Sequence, residues 1–193
     1  MTIDFDRIID RRNSDSLKWS GSRGNQTIPM WVADMDFAAP ECVLRVLRER
    51  VDQGVFGYPV VTEGVTQAVV AWAASHYQWR IEPEWLVWLP GLVSGIHVAC
   101  LALAGTADEV LTFVPAYPPF LSAPGMTGRT AKTVPPTREN GRWTLDLDEF
   151  RKALARRTKV LLFCNPHNPV GRAFGRQELA AVAEICARHG LWI

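Results

Sequence analysis

The sequence predicts an α/β fold whose sheet is mostly parallel and covered by helices on both faces. Three observations carry this. Short, nearly continuous apolar runs recur, as in Glu109–Phe113 and Lys159–Cys164. Between them, apolar residues return at helical spacing. The joints are rich in Gly, Pro and Asn. A strand that is apolar on both sides needs cover on both sides, and a parallel sheet between two helical layers supplies it.

The elements follow in order. Residues 1 to about 30 are polar and lack periodicity, so they read as an arm. Pro40 suits a first helical turn; Val43, Leu44, Leu47 and Val51 follow at helical spacing and Gly54 is a stop. Gly57-Tyr58-Pro59 reads as a turn. Val65, Ala68, Val69, Trp72 and His76 mark a second helix, and Glu84–Leu89, between Pro83 and Pro90, reads as a buried strand. Gly91 opens a third helix through Ala104. Strands are expected at Glu109–Phe113, Ala131–Val134 and Lys159–Cys164. Helices are expected from Pro118 to about Pro124, from Asp146 to Arg156, and from Arg176 to His189 with Gly190 as its C′ residue. Leu191–Ile193 reads as the first half of a further strand, so the chain is expected to stop inside an element.

Composition narrows the function classes. Lys+Arg is 21 against 20 Asp+Glu, a net charge of +1, which gives no electrostatic case for nucleic acid or a membrane surface. Arg11-Arg12 and Arg156-Arg157 read as solvated surface. The N-terminus has no basic region before an apolar run, and no apolar stretch is long enough to span a bilayer, so a cytoplasmic protein is expected. Cys42, Cys100, Cys164 and Cys186 sit among apolar neighbours without a C-x-x-C, and read as buried reduced thiols. The histidines show no ligand spacing, so no metal is expected.

Five segments carry candidate chemistry. Asn165-Pro166-His167-Asn168-Pro169-Val170-Gly171-Arg172 follows a buried strand, where open α/β sheets bind ligands. It is equally a rigid turn whose asparagines cap the next helix. Leu89–Ile96 joins a strand to a helix through two glycines and presents backbone N–H groups at a helix N-terminus, where a phosphate is stabilised. It is neither a Walker A loop nor a G-x-G-x-x-G. Tyr117, in Val114–Phe120, is either a rim aromatic or a stacking platform. Tyr58, in Phe56-Gly57-Tyr58-Pro59, is either surface packing or a presented ligand group. Trp31–Phe37 holds Asp34 and Asp36, a pair too common to specify acid–base or metal chemistry alone.

Taken together and in this order, the segments resemble the fold-type I pyridoxal-phosphate (PLP) enzymes of the aminotransferase class I/II superfamily. W-V-A-D-M-D-F and F-G-Y-P resemble the MalY/PatB-type cystathionine β-lyase group, N-terminal half only. The resemblance implies an aspartate aminotransferase-like fold, with residues 1–38 as an arm and start of a small domain and 39–193 as an incomplete PLP-binding domain. It implies that Asn168 bonds the phenolic oxygen of PLP, that Tyr117 stacks on its ring, and that the backbone of Leu92 and Val93 cradles its phosphate. It further implies that Tyr58 reaches the phosphate of a neighbouring subunit, making a homodimer, and that Ala33 and Asp34 line the substrate entrance. Val170 stands where the family usually has Thr. The implied activity is β-elimination of cystathionine or cysteine S-conjugates to thiol, pyruvate and ammonia. An amino-acid aminotransferase and a non-catalytic binding fragment are the alternatives. The Schiff-base lysine, an aspartate and an arginine are expected beyond Ile193. None of Lys18, Lys132, Lys152 and Lys159 is assigned to catalysis, so the fragment is expected to be inactive.

Overall fold

A computed structural model describes residues 4–21, 27–135 and 137–193; stretches 1–3 and 22–26 of the predicted arm, and residue 136, lie outside the described residues. The chain separates into two compact units, Met1–Val69 and Val70–Ile193.

In the first unit the described residues of the arm are irregular apart from one helical turn, α1 (Leu17–Ser20). Helix α2 (Glu41–Asp52) starts where Pro40 predicts, the Pro40 carbonyl accepting from the Val43 N–H at 2.9 Å. It ends before Gly54, whose φ of +69° is a left-handed conformation that a Cβ would oppose. Helix α3 (Glu63–Tyr77) follows the Val65–Val69–Trp72 spacing and runs across the division of the two units. The expected turn at Gly57-Tyr58-Pro59 is instead irregular chain with Tyr58 fully exposed. Pro59 biases Tyr58 towards extended backbone, which prolongs the chain rather than reversing it.

The second unit is built on three parallel strands in the order β2-β1-β5, with β1 Glu109–Phe113, β2 Thr130–Val134 and β5 Thr158–Leu162. Four helices cover them: α4 (Leu92–Leu103), α5 (Pro118–Met126), α6 (Leu147–Ala153) and α7 (Arg176–His189). The period of two along a strand divides the core. Val110 and Val160 pack with Ile96, Cys100 and Ala104 of the α4 segment and Ala123 of α5. Their neighbours Leu111, Phe113 and Leu161 pack on the opposite side with Phe150 of α6 and Val182, Ile185 and Cys186 of α7. The sheet is therefore covered on both faces, as its apolar strands require.

Three further expectations need correction, and one element was not expected. Glu84–Leu89 is not a strand: Pro83–Trp85 forms a 3-10 turn, and Val87, Trp88 and Leu89 lie exposed. An apolar run becomes a strand only with a ladder partner, and among the described residues this one has none. The expected 146–156 helix stops at Ala153, and its N-cap Asp146 accepts from the Asp148 and Glu149 N–H groups. Between β2 and α6 lies an unforeseen hairpin, β3 (Thr137–Glu139) and β4 (Arg142–Thr144), which turns at Asn140 and Gly141 with φ of 50° and 78°. Among the cysteines, Cys100 and Cys186 are buried but Cys42 is exposed and Cys164 partly so; all four are free. Cys42 lies on a helix that buries none of its residues and Cys164 lies past the end of β5, so apolar neighbours in sequence do not enclose them. At the end of the chain, Trp192 makes only a single parallel bridge to Val160.

Candidate cofactor site

Because the three strands are parallel, their carboxyl ends share one edge. The segments after neighbouring β1 and β5 are brought together there. Helix α4 returns to β1 through residues 104–108, so its N-terminus points to the same edge.

The loop after β5 closes on itself. The His167 N–H donates to the Arg172 carbonyl at 2.6 Å, and the Gly171 N–H to the His167 carbonyl at 2.8 Å. Gly171 takes a φ of +67°, which this tight return needs. The two asparagines then differ. Asn165 Oδ1 accepts from the Phe174 N–H at 2.9 Å and ties the loop down. Asn168 sits at the exposed tip, and among the described residues its amide has no hydrogen-bond partner. Neither caps α7, whose N-cap is Gly175 with Glu178. Arg172 braces the loop from behind: it donates to Glu178 at 2.6 Å and to the Trp143 carbonyl, and lies 4.8 Å over the Phe174 ring.

After β1, the Val114 N–H donates to the Val134 carbonyl at 3.1 Å, and Tyr117 becomes the N-cap of α5 ahead of Pro118. The Tyr117 ring meets Phe120 edge-on at 6.3 Å and remains 36% exposed. At α4, the first helical hydrogen bond runs from Gly95 N–H to Gly91 carbonyl at 3.1 Å. The N–H groups of Leu92 and Val93 precede it and face out of the helix, where the helix dipole favours an anion. A Cβ on Gly95 would lie 3.1 Å from Leu89 Cδ1, so glycine lets the turn close against the helix. Asn168, Tyr117, Leu92 and Val93 thus share the carboxyl edge. Among the described residues that edge therefore carries an amide without a hydrogen-bond partner, a partly exposed tyrosine ring and a helix N-terminus.

Tyr58, Ala33 and Asp34 belong to the first unit. Ala33 is exposed, but Asp34 is engaged: Arg11 grips both its oxygens at 2.9 and 2.8 Å. Asp36 accepts from Lys18 at 2.6 Å, the Trp19 indole at 2.8 Å and Arg11 at 3.1 Å, and Lys18 also donates to the Asp34 carbonyl at 2.7 Å. The Arg11 hydrogen bonds hold the Asp34 carboxyl below its usual range, and Lys18 and Trp19 bring Asp36 to about 2. Both carboxylates are occupied anions, unsuited to proton transfer. Among the described residues no group of His, Cys, Asp and Glu is placed to hold a metal. Arg11 is correspondingly not the solvated residue its sequence context implies. Its acidic partners, Asp34 and Asp36, lie 23 and 25 residues away, beyond any local signal.

All four lysines have partners elsewhere: Lys18 as above, Lys132 with Glu109 at 3.2 Å, Lys152 with Glu149 at 2.7 Å, and Lys159 with the Arg156 carbonyl at 2.9 Å. None stands on the loops after β1 or β5.

The family model for aminotransferase class I and II matches residues 26–193. Cystathionine beta-lyase PatB of Bacillus subtilis (strain 168) is 33% identical over 196 residues, covering 99% of this chain and 51% of PatB. Among solved structures, OvoB aligns with a TM-score of 0.91 at 42% identity, covering 98% of this chain and 50% of that one. Cystalysin from Treponema denticola, which contains a pyridoxal 5′-phosphate cofactor, aligns with a TM-score of 0.90 at 32% identity, covering 99% and 50%. The chain spans about half the length of the relatives it matches.

Proposed function

The chain belongs to the aminotransferase class I and II family, and from that premise we propose that it binds PLP at the carboxyl edge of its parallel sheet, as the N-terminal share of a carbon–sulfur β-lyase. The observation that carries this reading is the Asn168 amide, unpartnered at the tip of a braced loop on that edge. When bound, PLP supplies an electron sink for breaking bonds in an amino-acid substrate.

The residues of this chain bind and orient. The Asn168 amide donates to the phenolic oxygen and favours its ionised form. Tyr117 offers its face to the pyridine ring and sets its plane. The N–H groups of Leu92 and Val93, backed by the dipole of α4, hold the phosphate. Tyr58, fully exposed on irregular chain, reaches the phosphate of a second subunit, which makes the working enzyme a homodimer. Ala33 and Asp34 are assigned to the substrate side, where Arg11 holds the Asp34 carboxylate and Lys18 the Asp34 carbonyl. The division into an arm over 1–38 and a cofactor-binding portion over 39–193 belongs to the same proposal. The lyase reading takes its support over the aminotransferase reading from PatB, named a cystathionine β-lyase.

The test is affinity. Pyridoxamine 5′-phosphate (PMP) needs no lysine to bind, so the 193-residue chain binds it, and binds pyridoxamine, which lacks the phosphate, at least about tenfold more weakly. Equal affinities would remove the phosphate site and the reading with it. Since none of the four lysines stands at the edge, the same preparation with PLP releases no pyruvate from cystathionine. PLP-dependent release would show that one of them forms the Schiff base.

A further inference from the structure

We infer that His167 is a positioning residue that couples the loop carrying Asn168 to the loop carrying Tyr117. The inference rests on the cofactor reading for its meaning, though the coupling itself is a property of the chain without ligand.

His167 is 5% exposed, unlike Asn168 beside it. Its Nε2 lies 2.8 Å from the Pro115 carbonyl, 52 residues away in sequence and two residues before Tyr117. Its Nδ1 faces the Cys164 carbonyl at 3.3 Å, and its ring meets Phe174 edge-on at 5.8 Å. The shorter contact assigns the proton: Nε2–H donates to Pro115, because a carbonyl only accepts. The imidazole is fixed at its root as well, since the His167 N–H and carbonyl make the two hydrogen bonds that close the Asn168 turn.

The loop after β1 has few other holds. Val114 anchors its start to β2 through the Val134 carbonyl. Pro115 has no N–H to offer, so its carbonyl is its only hydrogen-bonding group. His167 reaches that carbonyl from the opposite side, and the loop is pinned between β2 and the β5 loop. The hydrogen bond from Nε2 therefore fixes the separation of the Asn168 amide and the Tyr117 ring. Those two groups must contact the oxygen and the face of one planar ligand at once. A displacement of either loop by even an ångström would let one engage only at the other's expense.

Two substitutions separate this role from packing. In His167→Gln the side-chain nitrogen falls near the position of Nε2 and keeps the donor; in His167→Asn it falls near Nδ1 and loses the reach. Two readouts apply. Without ligand, hydrogen exchange of residues 114–120 and 165–175 is followed beside that of Leu111 and Leu161 in the sheet. With PMP, dissociation constant and induced circular dichroism of the bound chromophore are measured. The expected result is that His167→Asn speeds exchange in both loops but not in the sheet, weakens PMP about tenfold, the order of one lost buried hydrogen bond, and flattens the induced signal. His167→Gln stays near wild type in each. Equal behaviour of the two variants, or faster exchange throughout the sheet, would reduce His167 to packing and overturn the inference. If wild type binds no PMP while the exchange contrast holds, the cofactor reading falls and the coupling stands. If PMP binds and His167→Asn matches wild type in every readout, the coupling falls and the cofactor reading stands.

Discussion

Asp36 shows how little a carboxylate's sequence context says about its role. The D-x-D pair was open to acid–base or metal chemistry until the structure set Arg11, Lys18 and Trp19 against it. The same network gives a pH prediction. The Asp36 carboxyl is brought down to about 2 and Asp34 is lowered by Arg11. A carboxylate whose folded pKa is depressed stabilises the fold above its unfolded pKa, and that contribution is lost as pH falls through the folded value. The arm is therefore expected to loosen between about pH 4 and pH 2, seen as a change in tryptophan emission as Trp19 loses Asp36. In Asp36→Asn the Asp36 share of this transition should be lost and the acid midpoint should move; an unchanged acid midpoint would mean the network does not hold the arm. The two asparagines illustrate the opposite limit. N-P-H-N-P pointed to Asn168 for binding, and the turn geometry shows that Asn165 is spent on Phe174 while Asn168 has no partner among the described residues. His167, in the middle of the motif, carried no local signal because its partner is 52 residues away.

Elements with their own punctuation were readable. Helix α7 runs from Arg176 to His189 and ends at Gly190 with φ of +66°, as its glycine predicts. The β3–β4 hairpin was marked too, since Asn-Gly suits two consecutive left-handed residues. Its strands of three residues were simply too short to show alternation. Gly141→Ala would place a Cβ at φ of 78° and should cost about 1–2 kcal/mol, measured by urea unfolding; no loss would argue against this turn. What sequence cannot supply is the long-range cap. Arg129 donates to the Ala104 carbonyl at 2.9 and 2.6 Å and to the Leu101 carbonyl at 3.3 Å, closing the C-terminal end of α4. Arg129→Ala leaves those carbonyls without a charged donor and should lower stability by about 1.5–3 kcal/mol. Arg129→Lys, which lacks the planar fork, should recover only part. A neutral Arg129→Ala would show that water serves the helix end equally well. The Glu84–Leu89 run failed as a strand for the same long-range reason: apolarity is local, but a ladder needs a partner.

At the scale of the molecule the fold class was legible because the sheet's burial is written in period two. Val110 and Val160 serve one helical layer, and Leu111 and Leu161 the other. Leu111, fully buried between β2 and β5, should cost about 2–5 kcal/mol when cut to alanine, as core leucines do; a smaller loss would mean that the layer collapses to fill the space. The place proposed for the site follows from the same topology, since parallel strands deliver their loops to one edge. The proposed occupant follows from three short loops on that edge, which carry Asn168, Tyr117 and the first N–H groups of α4. The most direct test of that claim is the amide chemical-shift response of the 193-residue chain to PMP. The account predicts shifts confined to the Asn168 side-chain amide, the Leu92 and Val93 backbone N–H groups and the Tyr117 segment, lost for the phosphate-binding pair when pyridoxamine replaces PMP. Shifts that bypass Asn168 and the start of α4 would contradict it.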